Sequence, residues 1–397
     1  MRRREFLKSG AALAGAWAAG AQPGTRLVYV ASYSSPQGPE GSKGNGEGIY
    51  LFAMNPATGA LSQRAVFANK DNPSWLALNQ AGTRLYSANE TADYQGTNSG
   101  SVSAYAVEPG SGRLSLMNTQ SSQGAGPCHL SIHPSGRYVL VANYHGGTLA
   151  ALPIQANRSL GAATDVKTDQ GKPGPAHAAS APPGSFAISG HDRPHAHMIQ
   201  SDPAGRFVLS ADLGLDRILV WRLDLESGKL LPQDALTIQL PAGDGPRHFA
   251  FHPNGRLLYS LQEEASTLTV FDFDPAAGKI TPRQTLSTLP HGFAGTNFTS
   301  EIAITPDARF LYVANRLHDS IAWFSIAADG AAALRGEEWT RGDYPRSFSI
   351  DPSGQYLYSC NQRSDAIACF RVNRESGALA FTGQYTPVGT PALVLFA

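Results

Sequence analysis

The chain is built from short apolar runs of about six residues, each ending on a polar side chain, with turn-forming residues between them. The fullest stretch is residues 245–263, GPRHFAFHPNGRLLYSLQE. Its first limb, 248–252, alternates and then meets Pro253-Asn254-Gly255-Arg256, where Gly supplies a positive φ and Asn tolerates one, so the chain reverses into the apolar limb 257–261. A hairpin brings its second limb back to the edge where the first began, which sets Arg247 and His248 beside Gln262 and Glu263. Second limbs of the same kind recur at RLVYVAS (26–32), LYSANE (85–90), VLVANY (139–144), VLSADL (208–213), LYVANR (311–316) and LYSCNQ (357–362). Aligned on Ser32, Asn89, Asn143, Asp212, Gln262, Asn315 and Asn361 they make seven copies, and first limbs precede six of them, at Trp75, His129, Met198, His248, Glu301 and Ser347.

A further strand and turn follow each copy, as in VEPGSGRL, LDLESGKL and VNRESGAL, and these also number seven. Four evenly spaced strands per unit predict an all-β fold, a seven-bladed β-propeller with four antiparallel strands per blade. The copy at 26–32 has no first limb before it, whereas the C-terminal GTPALVL (389–395) matches one. The N- and C-terminal strands are therefore predicted to pair in one blade and close the ring, which leaves no sheet edge open. One spacing is long, 69 residues from Asn143 to Asp212, because of the polar, Pro/Gly-rich segment 167–194. A loop of that length in a compact repeat fold goes with function or disorder, and it is expected to lie over the face where the hairpin ends meet.

Composition narrows this further. Gly 41, Pro 27 and 42% hydrophobic residues describe a turn-rich globular body, read as one domain over 22–397. Lys+Arg 31 against Asp+Glu 31 gives no net field toward nucleic acid or an anionic membrane, so a small-molecule ligand and a monomer are expected. Arg3-Arg4-Glu5-Phe6-Leu7-Lys8, the apolar run 11–19 and Ala19-Gly20-Ala21 form a twin-arginine export pattern. Residues 1–21 are thus expected to be a removable address and the protein periplasmic, without membrane attachment afterwards; the run is shorter than the ~20 apolar residues of a span. Three cysteines without CxxC or Cys/His spacing suggest neither a disulfide framework nor zinc, and no cofactor is expected. Cys360 and Cys369 are expected to face each other across a hairpin, either bonded or as two buried thiols.

Innermost strands of a propeller run along its channel, so their first residues converge at one mouth. Those positions hold Cys128/His129, His197/Met198, Arg247/His248, Ser300/Glu301 and Arg346/Ser347; the second limbs add Asn89/Glu90, Asn143/Tyr144, Asp212, Gln262/Glu263, Asn315/Arg316 and Asn361/Gln362. Arg, His and Glu directed at one concave place make it the candidate binding site. His133 and His252 occupy the slot before the turn proline that elsewhere holds Asp202, Thr305 and Asp351, and are expected to bond the turn backbone.

The motifs GPRHFAFHPNGRLLY (245–259), RPHAH (193–197), ADLGLDRI (211–218), SEIAITPDARFLYVANR (300–316) and YPRSFSIDPSGQYLYSCNQ (344–362) carry a family likeness. From about residue 25 onward the chain resembles the seven-bladed lactonases of the 6-phosphogluconolactonase type, which include fungal carboxy-muconate cyclases. The resemblance implies hydrolysis of a lactone ester without a required metal. By position it also implies polar mouth residues at His197, Arg247, His248, Glu263, Glu301, Arg316, Arg346 and Gln362. A carboxylate, Glu301 or Glu263, is then expected to activate water, with His197 or His248 as the alternative base and Arg247 and Arg346 steadying the carbonyl oxygen. Asn143, Tyr144, His195, Arg316 and Gln362 are expected to bind substrate. Should Glu301 be the carboxylate held between arginines, it stays ionised and a weak base, leaving Glu263 or His197 as proton acceptor. An unphosphorylated sugar lactone or a lactone of aromatic catabolism suits an exported protein better than a cytosolic sugar phosphate. Two other readings stay open: a propeller that binds a partner over the same face without chemistry, and a muconate-type lactonising enzyme.

Overall fold

The turn chemistry of the repeat is realised locally: Gly255 sits at φ 66°, and Pro246–Phe251 pairs antiparallel with Leu257–Gln262. A computed structural model describes residues 25–36, 38, 43–185 and 190–397, and in it six such hairpins, and one strand pair drawn from opposite ends of the chain, each extend into an antiparallel sheet. Numbered around the ring, blade 1 is Pro391–Phe396, Arg26–Ser32, Gly48–Met54 and Leu61–Ala68. The inner strands of blades 2 to 7 are Pro73–Leu78, Pro127–Ile132, Ala196–Ser201, Pro246–Phe251, Thr299–Ile304 and Pro345–Ile350. Six blades have four strands; in blade 4 the outer edge is split, since Leu230–Pro232 and the short Ile238–Gln239 both pair with Arg217–Leu223. Ring closure is the predicted one: Val30 stands opposite Val394.

The core lies between blades, where apolar faces of adjacent second strands meet. A repeated device fixes their spacing. The phenols of Tyr29, Tyr259, Tyr312 and Tyr358 each cross to the next blade and donate to the carbonyl of an outer-turn glycine, Gly112, Gly330, Gly377 and Gly59, at 2.6–2.8 Å. Such a phenol buries its ring without stranding its hydroxyl. Glycine is required at these turns: Gly377 has φ 75°, and a Cβ there would lie 2.4 Å from the Phe310 ring. The turn residues act as expected, with Asp202 Oδ1 accepting from the Arg206 and Phe207 amides and the Nδ1 atoms of His133 and His252 accepting from the Ser135 and Asn254 amides.

Two expectations need correction. Cys360 lies opposite Ile367 and Cys369 opposite Tyr358, so the register is offset by two and the cysteines do not face each other; all three cysteines are buried free thiols. Lys167 and Thr168 belong to the outer strand of blade 3, Asp165–Thr168, so the long connection begins at Asp169. Its described parts are tied to the loops of blades 4 to 6, by Ser180 Oγ to Asp244 Oδ1 at 2.7 Å, His191 Nε2 to Asp216 Oδ1 at 3.0 Å and the Gly295 amide to Pro183 O at 2.8 Å. The export motif at residues 3–8 lies outside the described residues.

Candidate active site

All seven inner strands begin with a β-bulge. Pairing is regular at Pro246 with Gln262 and again at Phe249 with Ser260, and the same shift occurs in blades 1, 2, 3, 4, 6 and 7. The extra residue breaks the strict in-out alternation of a strand and re-aims side chains. By this device Ser74, Cys128, His197, Arg247, His248, Arg346 and Ser347 all reach the channel mouth.

Two hollows meet there and share Cys128, His197 and Arg346. The deeper is walled by Tyr33, Trp75, Arg247, His248 and Ala392; the outer by Glu90, Tyr144, His145, Glu263 and Arg316. A larger hollow on the flank of blade 6, between Arg309, Trp323, Arg335 and Glu375, is open to solvent and lacks a convergent base.

The charges are ordered in pairs. Glu263 Oε2 lies 2.8 Å from Arg247 Nε and 2.7 Å from Arg316 Nη2, so this carboxylate bridges two guanidinium groups. Arg247 Nη1 also donates to the Ser300 carbonyl, and Arg316 to Tyr344 Oη at 3.2 Å and Thr299 O at 3.3 Å. Glu90 Oε2 accepts from Ser74 Oγ at 2.6 Å and Tyr33 Oη at 3.0 Å, while its Oε1 is 3.8 Å from Arg346. Arg346 also lies over the Tyr33 ring.

His248 is held differently. Its Nδ1 is 3.1 Å from Glu301 Oε1, which also accepts the Ile302 amide at 2.9 Å; its Nε2 is buried without a hydrogen-bond partner. Burial, then the neighbouring Arg247 and Arg346, hold the His248 pKa well below the ordinary imidazole value, and burial with Arg247 does the same to His197. Burial pushes Glu301 up to about 7, against the opposing effects of the Ile302 amide and Arg247. The rings of Trp75, His129, His197 and His248 lie edge to face or tilted at 4.6–5.6 Å and make a dry wall.

This geometry reassigns several residues. The carboxylate between arginines is Glu263, not Glu301, because Glu263 follows a second limb and sits between blades 5 and 6, whereas Glu301 lies behind His248. Asn143 is committed to the seam between blades, its Nδ2 donating to Ser122 O and Thr148 Oγ1. Gln362 is buried and its amide donates to Tyr344 O; its side chain lines neither hollow. His195 stands behind the wall, stacked on Tyr144 at 4.3 Å with Nδ1 2.9 Å from the Tyr144 carbonyl. His197, Arg247, His248, Arg346, Tyr144, Glu263 and Arg316 do meet at the mouth. Tyr33, Ser74 and Trp75 were not among the predicted site residues, although the repeat alignment does place Trp75 at an inner-strand start.

Residues 27–396 match the family model described as Lactonase, 7-bladed beta-propeller. The chain is similar to a 6-phosphogluconolactonase of Bacillus subtilis, 34% identical over 81% of this chain and 84% of that protein. It is also similar to a 6-phosphogluconolactonase of Formosa agariphila, 31% identical over 77% of this chain and 82% of that protein. Among solved structures, the periplasmic gluconolactonase PpgL of Pseudomonas aeruginosa superposes with a TM-score of 0.84 at 28% identity, over 94% of this chain and 99% of that one.

Proposed function

The chain belongs to the family of seven-bladed β-propeller lactonases, and from that premise we propose that its channel mouth opens the ester of an unphosphorylated sugar lactone, with His248 as general base and no metal in the reaction. The observation that carries this is the His248 side chain, which lines the deeper hollow, is fixed at Nδ1 by Glu301 and keeps Nε2 buried and without a hydrogen-bond partner. A base oriented by a third group and aimed at a concave site is the arrangement that activates water. His248 Nε2 takes a proton from water as its oxygen adds to the lactone carbonyl. Arg346, which borders both hollows, stabilises the developing oxyanion, and the guanidinium of Arg247, held in place by Glu263, adds a fixed positive field. Collapse breaks the ring C–O bond, His248 returns the proton to the leaving alkoxide, and the product is the hydroxy acid.

Glu90 supports a hydroxylated substrate. The residue borders the outer hollow; its Oε2 is filled by Ser74 and Tyr33, while its Oε1 lies at only a loose ionic distance from Arg346. A carboxylate oxygen there accepts a sugar hydroxyl. The test is a pH-stat assay of mature protein against glucono-δ-lactone, its 6-phosphate, δ-valerolactone and an aromatic lactone, with spontaneous opening subtracted. Wild type is expected to prefer the unphosphorylated sugar lactone, and Glu90→Gln to lower its kcat/KM by about tenfold while leaving δ-valerolactone unchanged, the size of one charged hydrogen bond. No opening of any lactone above background would overturn the reading in favour of a binding propeller.

Export through the twin-arginine route accompanies this proposal, and the similarity to a protein named as periplasmic supports it. Replacing Arg3 and Arg4 by Lys is expected to leave precursor in the cytoplasm, as cell fractionation would reveal. Unimpaired export would remove the reason for preferring an unphosphorylated substrate.

A further inference from the structure

At three seams between blades the second-strand asparagine donates Nδ2 to the carbonyl of the residue that follows the neighbouring outer strand: Asn143 to Ser122 O at 2.8 Å, Asn315 to Thr288 O at 2.9 Å and Asn361 to Thr340 O at 2.8 Å. The seam between blades 3 and 4 is different. Asp212 takes the asparagine position, and Asp169, the residue that follows the neighbouring outer strand, lies beside it, each carboxyl within the other's electrostatic reach. Both are buried, at 2% and 0% exposure. Asp212 Oδ1 accepts the His195 and Leu215 amides, each at 2.9 Å, whereas Asp212 Oδ2 and both oxygens of Asp169 have no donor. Two buried carboxylates in contact cannot both be ionised; a single proton between them satisfies both.

We propose that Asp169 and Asp212 share one proton and act as positioning residues, holding His195 and, through it, the Tyr144 and His197 wall of the mouth. The connection is short. His195 hangs by its amide from Asp212, its ring stacks on Tyr144 and bonds the Tyr144 carbonyl, and His197 follows two residues later. Gly190 lies against the Tyr144 hydroxyl and His195, so that a Cβ there would be 2.6 Å from Tyr144 Oη.

The groups facing the pair are few. His195, Asp192 and Arg193 lie ahead of the inner strand of blade 4, with His195 Nε2 2.7 Å from Asp192. The turn after Asp212 contributes Asp216, paired with His191, and Arg217, which reaches Gln170 O. Blade 3 brings Tyr144, His145 and the Gly147 carbonyl, which accepts the Asp169 amide, and Lys167, which is engaged with Asp165. Arg217 and Lys167 are thus directed elsewhere. Burial raises the pKa of both acids, and Asp212 raises that of Asp169 further. The sign follows: acids raised by folding stabilise the seam while protonated, and that stability is lost as pH rises through their folded titration.

The effect on turnover rests on the lactonase reading, while the shared proton does not. The test is hydrogen exchange of residues 190–197 in the full chain without substrate, followed as pH is raised from about 5 to about 9. Protection, corrected for intrinsic exchange, is expected to fall in wild type by up to about tenfold per pH unit as pH rises toward the folded titration, and to level off above it. Asp212→Asn restores the amide of the other seams and is expected to flatten this slope, as is Asp169→Asn; the blade 6–7 seam serves as the unmoving reference. An alkaline loss of kcat/KM should vanish in the same variants. A flat wild-type profile, or the wild-type slope in both variants, would overturn the proposal. An exchange slope that behaves as expected in a protein that opens no lactone would leave the shared proton standing and remove the lactonase reading instead.

Discussion

His248→Gln is expected to lower kcat for lactone opening by about 10²- to 10⁴-fold, the usual contribution of a positioned acid-base group, with the fold intact. Glu301→Gln is expected to cost about 10²-fold although Glu301 lines neither hollow. The reason is the tautomer. Ionised Glu301 accepts the Nδ1 proton of His248 and leaves the Nε2 lone pair facing substrate. Protonated Glu301 donates to Nδ1 instead, so the ring proton moves to Nε2 and the base is lost. Because burial raises Glu301 to about 7, kcat/KM in wild type is expected to rise with pH through about 7. Charging of His248 itself lies lower, since burial and the flanking guanidinium groups disfavour the imidazolium. Glu301→Gln is expected to abolish the limb near 7 along with most of the rate. A Gln variant that kept full turnover and the same limb would move the base to another group, His197 being the nearest.

What was legible in the residues follows the range of the interactions. Hairpins were, because Pro253-Asn254-Gly255 decides its turn within four residues, and seven copies of one local rule then dictate a ring. The mouth was legible as a place, since Arg247, Tyr144, Glu263 and Arg316 all occupy strand ends at one edge. Roles within it were not. Glu301 and His248 hold equivalent positions in adjacent blades behind the same bulge, yet His248 lines the deeper hollow and Glu301 lines neither, and no spacing along the chain encodes that difference. Glu263 takes two arginines from two blades, a pairing set only when blade 5 packs on blade 6. Tyr33 escaped notice although it follows Ser32 in the repeat alignment and so stands where Glu90, Tyr144, Glu263 and Arg316 stand in their blades. The cysteine pairing failed by two residues of register, which the turn 362–365 sets with its left-handed Asp365.

Removing residues 391–397 is expected to cost the protein its cooperative fold rather than one blade's edge. The strand Pro391–Phe396 is the innermost of blade 1, and blade 7 is fastened to it by Ser347 Oγ to Ala392 O at 2.6 Å and Ser349 Oγ to Val394 O at 2.5 Å. Ala392, Leu393 and Val394 are buried, and Leu395 and Phe396 pack against apolar clusters on opposite sides. At about 1.5–3 kcal/mol for each fully buried large side chain, their loss amounts to about 5 kcal/mol or more before any hydrogen bond is counted. Net stabilities are about 5–15 kcal/mol, so the truncation removes a large share of the whole. The new edge would be Arg26–Ser32, whose Val28, Tyr29 and Val30 are wholly buried in the intact ring, and an exposed apolar edge strand invites self-association. A thermal midpoint lower by about 10 °C or more, with aggregates on size exclusion, is the expected result. Lactonase activity should fall with it, because Ala392 lines the deeper hollow beside His248 and Arg346. An unchanged midpoint would mean that blades 2 to 7 hold the ring without their closing strand, and the fold's dependence on joining its two ends would have to be abandoned.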